Sequence, residues 1–106
     1  MKLDEYQEAA SRTMVWGQDS ALATMVVALG LCGEAGEVAE LIKKWVGHGH
    51  PLEKDKIKEE LGDVLWYLAA LATHMGFSLE VVARENIDKL KARYPDGFSE
   101  ERSAQR

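Results

Sequence analysis

Two acidic pairs, Glu34 with Glu37 and Glu60 with Asp63, lie in the stretch GEAGEVAELIKKWVGHGHPLEKDKIKEELGDVLWYL, residues 33–68. The members of each pair are three residues apart, which in a helix puts both carboxylates on one face. Glu34 falls in the middle of an apolar stripe of Val27, Leu31, Val38, Leu41, Ile42 and Trp45, where the 3.6-residue period calls for a leucine. An unpaired buried charge costs several kcal/mol, so such a carboxylate requires a hydrogen-bonding partner, a proton or a cation. Glu60 and Asp63 share a face with Tyr67 and Leu71, beside a stripe of Ile57, Leu61, Val64, Leu65, Leu68 and Ala72. If the two helices pack antiparallel across the connection at Gly47–Pro51, four carboxylates converge, and a cation is the economical way to hold them together.

Carboxylates without histidine or cysteine suit Mg²⁺, with Mn²⁺ as a substitute, both hard cations that keep water and phosphate oxygens in their shells. Such a site invites a polyphosphate: metal can neutralise a triphosphate, orient a water in line with phosphorus and stabilise the departing pyrophosphate. Asn86, Lys89 and Arg93, spaced i, i+3 and i+7, offer phosphate contacts along one helix edge, and Lys43 and Lys44 add positive charge at the pocket mouth.

Four helical segments must position these groups, and no strand pattern is visible. The first spans about Leu3 to Val15, with Leu3, Tyr6, Ala10 and Met14 at helical spacing and Trp16-Gly17 closing it. Asp19 or Ser20 caps a second that runs to about Val46 and carries Gly30, Gly33 and Gly36, small residues that weaken a helix, invite a bend there and let a neighbouring backbone or ligand come close. Gly47 to Pro51 reads as a flexible turn. The third helix, about Glu53 to Met75, is apolar almost all the way round from Val64 to Ala72. In so short a chain this predicts that another subunit covers its outer side, giving a homodimer or a dimer of dimers, that is, a homotetramer. Ser78 caps a fourth helix to about Arg93, Tyr94 to Phe98 ends it, and the polar tail 99–106 is expected to be loose or draped on the surface. The expected fold is all-α and four-helix bundle-like, completed by oligomerisation.

The 106 residues make one domain, large enough for a core yet marginal enough to gain from association. A net charge of −5 argues against nucleic acid or an anionic membrane as the main partner. The single cysteine, Cys32, cannot form an internal disulfide and suits a reducing compartment. The N-terminus lacks an apolar signal core, and the longest mostly apolar run, Ala21 to Cys32, falls short of the roughly 20 residues of a membrane span. A soluble, cytoplasmic protein is expected.

The pair GEAGE (33–37) and EELGD (59–63) resembles the E-x-x-E…E-x-x-D signature of the all-α, MazG-like nucleoside triphosphate pyrophosphohydrolases, a superfamily that includes dimeric dUTPases and dCTP pyrophosphatases. Residues 86–90, NIDKL, and 93–98, RYPDGF, are similar to the closing segment of its short members, so the likeness covers about residues 20–98 and implies a domain over 1–98. The resemblance implies Mg²⁺-dependent cleavage between the α and β phosphates of a nucleoside or deoxynucleoside triphosphate, releasing the monophosphate and pyrophosphate. It implies Glu34, Glu37, Glu60 and Asp63 as metal ligands, one of them acting through water as the base. It also implies Tyr67 in the nucleoside pocket, Trp16 packed on the base, and a dimer or tetramer with sites near the subunit boundary.

Plainer readings stand beside these. Glutamates three apart are usually a solvated helix face, and only the combination of two pairs with the interrupted stripe favours metal. Glu40, Glu53 and Glu59 read as surface charges, His48 and His50 as solvated loop residues, His74 as a core or interface histidine, Trp45 and Trp66 as core or interface aromatics, and Cys32 as a small buried hydrophobe. Asn86 could equally bond a backbone carbonyl. A di-iron carboxylate bundle would add Glu-x-x-His motifs, which neither pair has. The remaining alternative is a non-catalytic helical module for nucleotide binding or oligomeric interaction on the same scaffold.

Overall fold

A computed structural model describes residues 1–14 and 20–105. Five helices follow one another: α1 (Leu3–Ser11), α2 (Ala21–His48), α3 (Lys54–Met75), α4 (Leu79–Arg93) and α5 (Glu100–Ala104). No strand occurs among the described residues, and the fold is all-α as expected.

The helix ends follow the sequence chemistry closely. Ser20 Oγ accepts the Ala23 N–H at 3.1 Å and Ser78 Oγ accepts the Val81 N–H at 3.1 Å, each satisfying a donor that the first helical turn leaves unpaired. Gly76 at φ 84° ends α3, and the Phe77 N–H returns to the Ala72 carbonyl at 3.0 Å. Three boundaries differ from expectation. The first helix stops at Ser11 instead of near Val15, and the expected closure at Trp16-Gly17 lies outside the described residues. The second passes Gly47 and ends at Gly49, because Gly49, at φ 70°, is the residue that takes the left-handed conformation. The polar tail is ordered in part: Ser99 caps α5, and Arg102 Nη1 donates to the Arg93 carbonyl at 3.3 Å.

α2 and α3 share the most extensive contact in the chain. Gly30 faces Tyr67 and Glu34 faces Glu60 and Asp63, so position rises along one helix as it falls along the other, and the pair is antiparallel. α1 lies on α3 through Ala10, Ala69, Leu65 and Trp66, with Trp66 Nε1 donating to Thr13 Oγ1 at 2.8 Å. One side chain ties three helices together: Gln7 Nε2 donates to Thr73 Oγ1 (3.0 Å) and the Phe77 carbonyl (3.2 Å), while Gln7 Oε1 accepts the Leu79 N–H (2.7 Å).

The buried core is small in volume. Among the described residues it consists of Ala10, Ala23, Val27, Ala69, Ala70, Ala72 and Leu79, five of the seven being alanine. Alanine lets helices approach but removes little apolar surface from water. Large apolar side chains therefore remain outside, among them Leu22, Leu29, Val46, Leu61, Leu68 and Ile87. The chain exposes 7775 Å², about 1,900 Å² more than the roughly 5,900 Å² of a compact monomer of this mass. Its radius of gyration is 16.8 Å, against about 13 Å for a compact domain of this length.

α2 is also long and apolar enough, by length and composition alone, to cross a membrane, with an 18-residue mean hydropathy of 1.5. The apolar run read from the sequence ended at Cys32. The helix does not, since Gly33 and Gly36 interrupt its pattern without ending its hydrogen bonding.

Candidate active site

Glu34 stands at the middle of α2, and Glu60 and Asp63 stand one turn apart on α3. The antiparallel register brings one oxygen from each to within 4.8 Å of the others. Glu34 and Glu60 are half-buried and Asp63 is exposed, so the group opens to the exterior on one side. The Glu60 carboxyl is pushed above its ordinary 4.5, first by a hydrogen bond to the Glu34 carboxyl, then by burial and by the negative charges of Glu34, Asp63 and Glu59. Like charges this close cannot all ionise comfortably, and a proton on Glu60 lets its O–H donate to Glu34.

A cation relieves the same repulsion. Six-fold oxygen shells have metal–oxygen distances of about 2.0–2.6 Å, so opposed ligand atoms lie about 4–5 Å apart. Three oxygens within 4.8 Å fit that span, and the donor set is all oxygen. Among the described residues no other histidine, cysteine and acid grouping of three or more converges in this way.

The other residues singled out from the sequence are distributed unevenly. Glu37 is exposed one turn beyond Glu34 and is not part of the three-carboxylate group. Tyr67 is half-buried, one turn past Asp63, with its ring on the bare backbone at Gly30 and edge-on to Trp66 (centroids 4.9 Å apart, 83°). Lys44 and Lys43 both pair with Glu40, at 3.8 and 3.3 Å. Asn86 and Lys89 are exposed on α4, and Arg93 is half-buried at its end. α4 leaves α3 at 100°, and Asp63 lies twelve residues before the end of α3, about 18 Å along its axis. The single chain therefore does not carry Asn86, Lys89 and Arg93 to its own carboxylates. Trp16 lies outside the described residues. His48 and His50 are exposed with ring centroids 6.3 Å apart, and Cys32, read as buried, is exposed too. His74 is half-buried, and its Nδ1 is buried with no hydrogen-bond partner among the described residues.

Two residues near the site escaped the sequence reading of chemistry. Burial, and then the charge of Asp63, push the Tyr6 phenol up, so α1 places a hydroxyl within the field of the acidic group. Gly30 is the seat of the Tyr67 ring. Their only sequence signals are a tyrosine on the α1 stripe and a glycine one turn before Glu34.

The sequence profile of the MazG nucleotide pyrophosphohydrolase domain matches residues 24–98, a span that contains all three converging carboxylates. The chain belongs to the MazG family. It is 37% identical over 105 residues to the Gene 37 protein of Mycobacterium phage L5, covering 92% of each chain. It is 39% identical over 74 residues to human dCTP pyrophosphatase 1, covering 63% of this chain and 43% of that protein. The uncharacterized protein YvdC of Bacillus subtilis (strain 168) is 36% identical over 73 residues, 60% of this chain and 69% of that one. The MazG chain thus spans less than half the length of the dCTP pyrophosphatase it matches. No solved structure matches it. At the level of the family, this MazG domain is a nucleotide pyrophosphohydrolase domain.

Proposed function

We propose that this MazG domain hydrolyses nucleoside and deoxynucleoside triphosphates to monophosphates and pyrophosphate with Mg²⁺, or Mn²⁺ in its place, in clearing or regulating nucleotide pools. The observation that carries the reading is the convergence of Glu34, Glu60 and Asp63 within 4.8 Å across two helices, with Glu60 driven toward its protonated form. When bound, the metal would neutralise phosphate oxygens and lower the pKa of a coordinated water. Glu34, Glu60 and Asp63 would hold it, and Glu37, exposed one turn along α2, is the fourth candidate ligand. One of these carboxylates takes the proton of the attacking water as general base. Tyr67 lines the nucleoside end, and Trp16, Lys44, Asn86, Lys89 and Arg93 are the remaining candidates for substrate contact.

A second copy of the chain completes the molecule in this proposal. About 1,900 Å² of surface per chain beyond a compact monomer, or about 3,800 Å² for a pair, falls in the range of about 2,000–5,000 Å² that obligate homodimers bury in total. The α4 residues, too far from their own carboxylates, reach a site only across such an interface. Lipid is a poor cover for α2, because Glu34 and Glu37 sit at mid-helix, where a bilayer would be driest. The proposal is accordingly of a soluble, cytoplasmic homodimer or homotetramer, with neither membrane nor nucleic acid as partner.

The test is pyrophosphate release from a panel of canonical and modified triphosphates with Mg²⁺, with dCTP first because a relative is named for it. Release that requires divalent metal supports the reading, and absence of release from every triphosphate refutes it. A melting temperature raised by Mg²⁺ beyond a general salt effect separates a metal site from a plain interaction module.

A further inference from the structure

Three glycines lie in the middle of α2, where each weakens a helix by up to about 1 kcal/mol relative to alanine. They are not equivalent. A β-carbon at Gly33 or Gly36 would meet nothing within 4 Å. At Gly30 it would overlap Cε1 and Cζ of Tyr67 and stand 2.8 Å from Cδ1, closer than real β-carbons come to any neighbour. The ring occupies the volume that a side chain at position 30 would need.

The location of this contact gives it meaning. Gly30 is one turn before Glu34 and Tyr67 is one turn after Asp63, so ring and glycine form the layer immediately beside the carboxylates. The ring also meets Trp66 edge-on, and the Trp66 indole N–H donates to Thr13 Oγ1. Joining the helices does not require this arrangement. Ala23 and Val27 on α2 and Ala70 on α3 are buried with small or medium side chains, and an alanine at 30 with a small residue at 67 would close this layer too.

We infer that Gly30 is a positioning residue for substrate recognition: its missing β-carbon sets how deeply the Tyr67 ring sinks between α2 and α3, and so sets the depth of the nucleoside end of the site. The inference rests on the proposed nucleotide chemistry for its ligand, whereas the placement of the ring does not. A methyl group at position 30 advances the ring toward the nucleoside by about the width of that group. It leaves the carboxylates and the phosphate chain untouched.

The test uses the full chain as wild type, Gly30→Ala, Tyr67→Ala and the double variant. Affinity is measured for non-hydrolysable α,β-imido analogues of several deoxynucleoside triphosphates and for inorganic triphosphate, which lacks a nucleoside. Near-ultraviolet circular dichroism reports on the Trp66–Tyr67 pair. Gly30→Ala is expected to weaken nucleotide binding by about tenfold, the effect of one methyl group in a fitted pocket, by factors that differ among bases. It should leave inorganic triphosphate within twofold of wild type and alter the near-ultraviolet spectrum. In the Tyr67→Ala background the same substitution should change none of these.

Nucleotide affinities within twofold of wild type in Gly30→Ala, or an equal loss in both backgrounds, overturn the inference. If Gly30→Ala fails to fold, the double variant must fold and bind nucleotide as Tyr67→Ala does, and its failure to do so also overturns it. Analogue binding that responds as expected in a protein without turnover would refute the hydrolase reading while supporting the role of Gly30.

Discussion

Three carboxylates that exclude one another without a counter-charge dominate the chemistry at the residue scale. Because Glu60 is raised in the folded protein, the native state binds more protons than the unfolded chain from around its ordinary 4.5 up to its folded value. In the absence of divalent ions this contribution to stability is fully present below the unfolded value and is lost as pH rises through the folded one. Melting curves in chelator should therefore fall across that window, while added Mg²⁺ should raise the melting temperature progressively more as pH increases. A Mg²⁺ effect that does not depend on pH would mean that Glu60 is not where the ion binds. Glu34→Gln, Glu60→Gln and Asp63→Asn should each reduce pyrophosphate release by at least about 100-fold, since loss of residues that merely support metal ligands already costs about 10- to 100-fold. Their helical circular dichroism should stay near wild type. Glu37→Gln is the informative fourth, because a loss as large as the other three would make it a ligand despite its position outside the group.

At the scale of elements, the antiparallel register of α2 and α3 makes the site, and α1 braces α3 against α4. Gln7 spends both ends of its amide on α3 and α4, so Gln7→Leu removes three hydrogen bonds and strands the Leu79 N–H. A buried polar group left without a partner costs about 1–3 kcal/mol, and the urea midpoint should fall accordingly with an unchanged m-value. The site lies at the opposite half of α3, so the Mg²⁺ concentration for half-maximal activity should hardly move. Most helices were legible from the sequence because caps and left-handed glycines are local: Ser20, Ser78 and Gly76 act through their own backbones. The choice between Gly47 and Gly49 was not legible, since both can adopt φ > 0 and only the path of the chain into α3 decides which one does.

For the whole molecule, the decisive quantity is surface. With alanines between its helices, the chain leaves Leu22 65%, Met25 53% and Leu29 64% exposed at i, i+3 and i+7 along α2, and contiguous apolar area of that kind marks an interface. Leu29→Asp should shift the protein toward monomer in light scattering and make the melting temperature of the wild type, but not of the variant, rise with concentration. If Asn86, Lys89 and Arg93 serve the carboxylates of another copy, the same variant should also lose pyrophosphate release. A monomeric variant with full activity would remove that arrangement.

The sequence by itself determined the all-α class, the four main helices and the pairing of acids three residues apart, because periodicity, capping and i, i+3 spacing are properties of a single helix. Its apolar excess on the third helix reads as a face for another subunit, whereas within the chain α1, α2 and α4 all pack on that helix and the exposed large apolar side chains are most numerous on α2. Which carboxylates meet was decided only by the tertiary structure. Glu37 shares a face with Glu34 in any helical reading, yet the crossing of α2 over α3 brings Glu34 alone against Glu60 and Asp63. That a neighbour could come close at Gly30, Gly33 or Gly36 was legible, but that it does so only at Gly30 of these three, that it is the ring of Tyr67, and that α4 departs at right angles were not. Such features depend on how two surfaces fit in space, and a linear pattern carries no record of that distance or angle.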